Sequence, residues 1–217
     1  MAGENTALKK QYRGCSRLYY ALRTVAADGT VTRGTPKQLA ICKGVNAAVN
    51  QTSEKVHGDN KSQYTVKNGV SGTRTFDTLP IQFSVLADLF GDTVIEVADT
   101  IAYGENPDAE EVEVSIGYAL HDGDEDDPCE LVWVDRTVAQ KRPDTVSNTI
   151  TTTDTASEGQ QIAFDILTPE KAWTATGKKN PSICVPVTAN IDVDKWFEQV
   201  VTWDNVNELF PTSSPTP

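Results

Sequence analysis

The sequence predicts a mainly β protein with one central α-helix laid against its sheets and a second, short helix near the C-terminus. Two patterns carry that expectation. Residues 111–120 alternate without a break: Val112, Val114, Ile116, Tyr118 and Leu120 fall on one face, and Glu111, Glu113, Ser115, Gly117 and Ala119 on the other. That is the period of a strand with one face on a core and the other toward water. In mid-chain a strand-like run stops at Leu79-Pro80, and Ile81, Phe83, Val85, Leu86, Leu89 and Phe90 then cover roughly 200° of a helical wheel, leaving Ser84 and Asp88 outside. Pro80 suits the first helical position, and Gly91 supplies a left-handed stop. A helix of about ten residues is marginal alone in water. It must be held by what it packs on, and the remaining chain offers sheets.

A chain of 217 residues fits one large β domain or two small ones and can bury a core without metals or disulfides. Its hydrophobic share of 38% is low for a monomer and tolerable in a subunit whose faces neighbours complete. A formal net charge of −12 disfavours binding to nucleic-acid phosphates or anionic membranes. Cys15, Cys42, Cys129 and Cys184 are scattered, with no C-x-x-C pair, and read as small buried hydrophobes in a reducing compartment rather than as disulfide partners. No secretion signal and no apolar run of about eighteen residues is visible, so the expectation is assembly in a cytoplasm with no membrane span.

Along the chain, residues 1–13 are polar with the basic cluster Lys9, Lys10 and Arg13 and read as an arm. An aromatic-rich strand over 17–23, the turn signal Asp28-Gly29 and a return from Val31 form a hairpin. Strands follow over 38–42 and through Val45, Ala47 and Val49. Residues 52–62, with Lys55, His57, Asp59 and Lys61, show no buried periodicity and read as a long loop suited to rim contacts with another subunit. Further strands are expected over 64–66, 71–77, 93–97, 111–120, 130–138, 161–166 and 182–187, with a Thr-rich stretch over 145–155 that favours strand. Asp192 caps a helix in which Val193, Trp196, Phe197, Val200 and Val201 fall at i, i+3, i+4, i+7 and i+8. Residues 204–217 thin into a Pro/Ser/Thr-rich tail that cannot bury itself.

Chemistry is sparse. His57 sits in a polar stretch and His121 at a strand end, and neither neighbours a nucleophile motif such as G-x-S-x-G. Glu111 and Glu113 share a strand face, which alternation alone produces, so a solvated face outweighs glycosidase chemistry. The acidic run 122–127 departs from a calcium loop, with Asp127 where glycine is required and Trp133 where the bidentate Glu belongs. The expectation is no enzyme, no cofactor and no metal.

The order of elements adds a resemblance. The opening Ser16-Arg17-Leu18-Tyr19-Tyr20-Ala21-Leu22 with Asp28-Gly29, the Leu79-Pro80 helix ending at Leu89-Phe90-Gly91, and the terminal Asp194-Lys195-Trp196-Phe197-Glu198-Gln199-Val200 together resemble the major tail tube proteins of long, non-contractile-tailed bacteriophages. The resemblance spans most of residues 15–201. It implies a β-sandwich or half-open barrel of two sheets flanked by the helix, here one domain over 14–203. It also implies hexameric rings stacked into the virion's tail tube, a conduit for genome delivery. The partners it implies are further copies of the chain, tail terminator and distal tail proteins, and a tape measure protein and then DNA in the bore without specific binding.

An acidic wall keeps phosphates off by repulsion, screened beyond about 8–10 Å. The acidic candidates for the bore are Glu111, Glu113, Asp122, Asp124, Glu125, Asp126 and Asp127. Lys55, His57, Asp59, Lys61, Lys9, Lys10 and Arg13 are the candidates for contact between rings. Ile81, Phe83, Leu86, Leu89, Phe90, Trp196 and Phe197 are expected to pack the helices. A competing expectation is a monomeric β-sandwich module that binds a carbohydrate or host surface through exposed Tyr19, Trp133 or Trp173.

Overall fold

The strands form where the alternating segments predict them among the described residues, and several more form besides; the Thr-rich stretch 145–155 lies outside the described residues. The computed structural model describes residues 12–50, 53–58, 61–67, 71–123, 127–144 and 159–211. Its elements are β1 (Gly14–Val25), β2 (Val31–Arg33), β3 (Lys37–Ala40), β4 (Cys42–Asn50), β5 (Ser53–Gly58), β6 (Lys61–Lys67), β7 (Ser71–Thr78), α1 (Phe83–Phe90), β8 (Thr93–Val97), β9 (Thr100–Gly104), β10 (Glu113–His121), β11 (Glu130–Ala139), β12 (Gln160–Ile166), β13 (Ser182–Pro186), α2 (Val193–Glu198) and α3 (Val206–Leu209). The protein is mainly β. Its main sheet has nine strands in the order β2-β1-β10-β11-β12-β7-β4, with β13 also on β11 and β3 also on β1. The pairs β5–β6 and β8–β9 stand apart as two-stranded hairpins.

Only Ile41 separates β3 from β4, yet β3 pairs with β1 and β4 pairs with β7. That short segment joins the two ends of the strand order, so the sheet rolls round on itself. Cys15 and Cys42 lie on this seam, joined by a disulfide with a Cα–Cα distance of 5.8 Å, which overturns the expectation of unpaired thiols. The physical reason is register. Leu18 faces Ala40 in an antiparallel pair, and moving outward along both strands brings Cys15 beside Cys42, a relation that spacing in the chain does not reveal. Nor is Cys184 buried: it is exposed, with its thiol 3.3 Å from Glu130 Oε2. Closing a separation of 27 residues restricts the unfolded chain. The double variant Cys15→Ala/Cys42→Ala should therefore lose roughly 3–4 kcal/mol of stability in a denaturant titration, and reductant should lower the wild type but not the variant.

Inside the rolled sheet one core gathers Leu18 and Tyr20 of β1, Val114, Ile116 and Tyr118 of β10, Val132 and Val134 of β11, Phe76 of β7, and Ile162, Phe164 and Ile166 of β12. Ile81, Val85, Leu86 and Leu89 join the same core. Gly91 ends α1 in the left-handed conformation at φ 64°, as the sequence requires. The helix starts later than expected, at Phe83 behind Gln82, so Pro80 precedes it rather than opening it. Phe83 is not a packing residue: it is 64% exposed and stacks on Tyr103 at 6.2 Å. At about 100° per residue it lies some 200° from Val85, too far round for one core to cover both. Phe90 is half-buried against the core, under the guanidinium of Arg142 at 5.2 Å.

The second face of β10 meets protein, not water. Ser115 and Ala119 are fully buried, and a second core of Ala21, Leu131, Trp133, Ile183, Trp196, Phe197, Val200 and Val201 covers that side. The C-terminal segment builds this layer. Asp192 caps α2 as expected, accepting from the backbone N–H groups of Asp194 and Lys195. The helix nevertheless ends at Glu198, and Gln199 is extended at φ −148°, ψ 161°. Val200 and Val201 are thus buried from a non-helical segment. Residues 204–211 do not trail away: Phe210 packs on Trp196 at 5.7 Å, and Lys195 Nζ donates to the Leu209 carbonyl at 2.8 Å. The boundary expected at 203 falls inside a packed unit, and residues 212–217 lie outside the described ones.

Candidate functional site

Two features of the surface are candidates for function: a charged cluster at one end of β10, and the hairpins that leave the main sheet. The cluster follows from charges placed on neighbouring strands. Arg23 near the end of β1, Glu113 at the start of β10 and the Asp135-Arg136 bulge of β11 come together, and Arg33 of β2 and Glu170 after β12 complete the set. Arg23 is fully enclosed. Its guanidinium donates to Glu113, to Glu170 Oε1 at 3.0 Å and to Glu170 Oε2 at 2.5 Å. Arg136 donates to Glu113 Oε1 at 2.9 Å and to the Thr168 carbonyl at 3.1 Å. Arg33 Nε donates to Asp135 Oδ1 at 2.6 Å. Arg23 Nε and Asp135 Oδ2, both buried and without a hydrogen bond, face each other at 3.7 Å.

Burial alone would lower the Arg23 pKa, yet the Glu170 hydrogen bond and the charges of Asp135, Glu170 and Glu113 outweigh it and raise the value. Burial alone would likewise raise Glu170. The Arg23 hydrogen bond, helped by the Arg23 and Arg136 charges, holds it below the usual carboxylate range instead. Both shifts favour the charged forms, so the cluster is a balanced ionic clamp between strands and not a poised acid or base. Glu113, expected on a solvated wall, belongs to this clamp. Its own sequence neighbours could not show that, since every partner is at least twenty residues away. The signal available was a charge placed inside each of three strands.

A cleft of about 240 Å³ opens beside the clamp, lined by Arg23, Arg33, Asp135, Glu170, Lys171 and Trp173 among others. Trp173 is 8% exposed, donates its indole N–H to the Asn180 carbonyl at 2.7 Å and lies under Arg33. Trp133 is fully buried, and Tyr19 is half-buried and stacked on Phe197 at 5.1 Å. The aromatics expected to form an exposed sugar platform are therefore spent on packing. Among the described residues, no group of three His, Cys, Asp or Glu side chains could hold a metal ion. None of their helices is long and apolar enough to cross a membrane.

The remaining acidic candidates do not converge. Glu111 is exposed ahead of β10, and Asp122 and Asp127 are exposed at the tip beyond it. Asp124, Glu125 and Asp126 lie outside the described residues, as do Lys9, Lys10 and Asp59. Arg13 is not in a detached arm: its backbone N–H donates to the His121 carbonyl at 2.8 Å, extending the pairing of β1 with β10. His121 Nε2 lies 2.7 Å from Ser16 Oγ.

Lys55 and His57 lie on β5 and Lys61 on β6, so the expected loop 52–62 is largely a hairpin. Val56 faces Tyr64 and Gly58 faces Lys61 across it. A largely polar strand has no apolar alternation to announce it, so its sequence reads as loop.

The β8–β9 hairpin was legible only as a strand leading away from α1. Its turn places Ala98 and Asp99 at φ 43° and 63°, the mirror-type conformation that fits the twist of two paired strands. Val94, Ile95, Val97 and Ile101 are 51%, 55%, 47% and 49% exposed. The Phe83–Tyr103 stack ties the hairpin's base to α1. No protein-family model and no curated protein matches the chain.

Proposed function

We propose that this chain is a structural subunit that polymerises through its own copies, as stacked rings forming the tail tube of a long-tailed bacteriophage virion. The observation that carries the reading is the β8–β9 hairpin, which holds four large apolar side chains about half exposed. A two-stranded hairpin is marginally stable at best in water, and contiguous exposed apolar surface marks an interaction site. The net charge of −12 suits a conduit that must not hold the DNA passing through it. The rolled sheet agrees with the half-open barrel that the resemblance implies. In this reading the chain does no catalysis and takes no cofactor. Tail terminator, distal tail and tape measure proteins are its further partners.

Negative-stain microscopy of the purified chain tests the proposal. Rings or hollow tubes are the expected images. Uniform small particles at every concentration would overturn it, and retained affinity of such particles for a sugar would favour the monomeric binding module instead.

A further inference from the structure

We propose that the β8–β9 hairpin of one copy docks over the Trp173 cleft of the next copy, where the lysines of residues 168–180 meet its acidic rim. This inference rests on the self-assembly reading and names the two surfaces of one contact.

The hairpin stands outside the nine-stranded sheet. Its pairs Val94–Tyr103 and Glu96–Ile101 share one face, which the Phe83–Tyr103 stack ties to α1 at the base. The pairs Ile95–Ala102 and Val97–Thr100 share the other face, which carries no charge. Ile95 and Val97 are exposed there. An apolar strip of this kind, outside both cores, marks a contact surface.

Charge selects what covers it. Glu96, Asp99, Asp108, Glu110 and Glu111 are exposed on the hairpin and the segment after it, whereas Asp92 and Glu105 pair with Arg142. Residues 92–112 hold no lysine or arginine. A nucleic acid or an anionic lipid surface is repelled by this rim, and so is a second copy of the same hairpin. A fitting partner is apolar at its centre and carries cations at its lip.

The chain has such a surface of its own. The cleft of about 240 Å³ beside the clamp has an apolar wall of Val31, Pro169, Ala172 and Trp173, and Lys171 stands at its edge. Lys178 and Lys179 follow on the same loop, which the Trp173 N–H closes by donating to the Lys178 carbonyl at 3.0 Å. All three lysines are exposed. Lys171 Nζ donates to the Gly29 carbonyl at 3.3 Å and Lys179 Nζ to the Glu170 carbonyl at 2.7 Å, contacts that hold the ammonium groups without neutralising them. Arg17, Lys37, Lys141 and Arg142, by contrast, are paired with carboxylates of their own subunit. Asp28 and Asp204 are the carboxylates beside the three lysines, while the clamp sets Arg23, Arg33 and Arg136 against Glu113, Asp135 and Glu170. The lip is therefore positive on a chain of net charge −12. Strip and cleft are different surfaces, so the contact repeats head to tail instead of closing on a dimer.

Sedimentation velocity on the full chain tests the contact by charge exchange. Glu96→Lys/Asp99→Asn in one variant and Lys171→Glu/Lys178→Glu in another should each raise the concentration needed for assembly by about tenfold or more. The variant carrying all four changes should assemble at close to the wild-type concentration. Ile95→Asp, which spoils the strip and leaves the lysines alone, should weaken assembly as the charge variants do. All five positions are exposed, so near-UV circular dichroism should match wild type throughout. Charge or Ile95 variants that assemble like wild type would overturn this contact, as would a four-site variant no better than either pair, and both results leave the subunit reading intact. A wild type that never assembles would overturn both. Flotation of the wild type with vesicles of phosphatidylserine and phosphatidylcholine, lost on Ile95→Asp, would replace the second copy with a membrane and overturn the proposal.

Discussion

Replacing Trp133 by alanine is expected to lower the unfolding free energy by about 3–5 kcal/mol, the range for deleting a large aromatic from a packed core. Trp133 is fully buried among Leu131, Ile183, Trp196 and Phe197, and its indole N–H donates to the Trp196 carbonyl at 3.0 Å. The ring lies over Gly117, where an added Cβ would sit 2.7 Å from the indole carbons. Gly117→Ala should therefore also destabilise the wild type. In the Trp133→Ala background the same change should cost much less, because the ring it strikes is gone. Urea titrations of the four proteins of this cycle give the coupling. Additive losses would mean that β10 and the C-terminal layer do not meet as described.

Arg23→Met should cost about 2–3 kcal/mol, since it removes the enclosed cation shared by Glu113, Glu170 and the buried Asp135 while Arg33 and Arg136 keep part of the pairing. Arg23→Lys should restore little, as one ammonium cannot reproduce the fork that serves Glu113 and Glu170 together. The acid limb of the stability profile supplies an independent check. Glu170 is held below its ordinary value of 4.5, so the unfolded chain takes up the proton first as pH falls. Its contribution is present above the unfolded pKa and is lost as pH drops through the lower folded value. Removing Arg23 removes the main cause of that depression, so the variant should lose less stability than wild type as pH falls through 4.5 and below.

What the sequence disclosed depended on whether a signal was local. The hairpin at Asp28-Gly29, the stop at Gly91, the cap at Asp192 and the inward set Ile162, Phe164 and Ile166 are local patterns, and the structure has them. The second face of β10 was misread because Ser115, Gly117 and Ala119 resemble a polar side. Small residues there instead make room for Trp133 and the C-terminal aromatics that lie over them. The Cys15–Cys42 bond and the Arg23 clamp depend on register between strands far apart in the chain, and alternation within one strand carries no such information. Phe83 illustrates a different limit. Its apolar character was plain, but whether an apolar residue meets the core or the outside depends on where the helix begins and what lies beyond it.

Sedimentation velocity of the purified wild-type chain across a wide concentration series tests the central claim of self-assembly most directly. The account predicts species that are multiples of the 23.6 kDa chain and that grow with concentration into large, heterogeneous polymers. A single 23.6 kDa boundary at every concentration would contradict it.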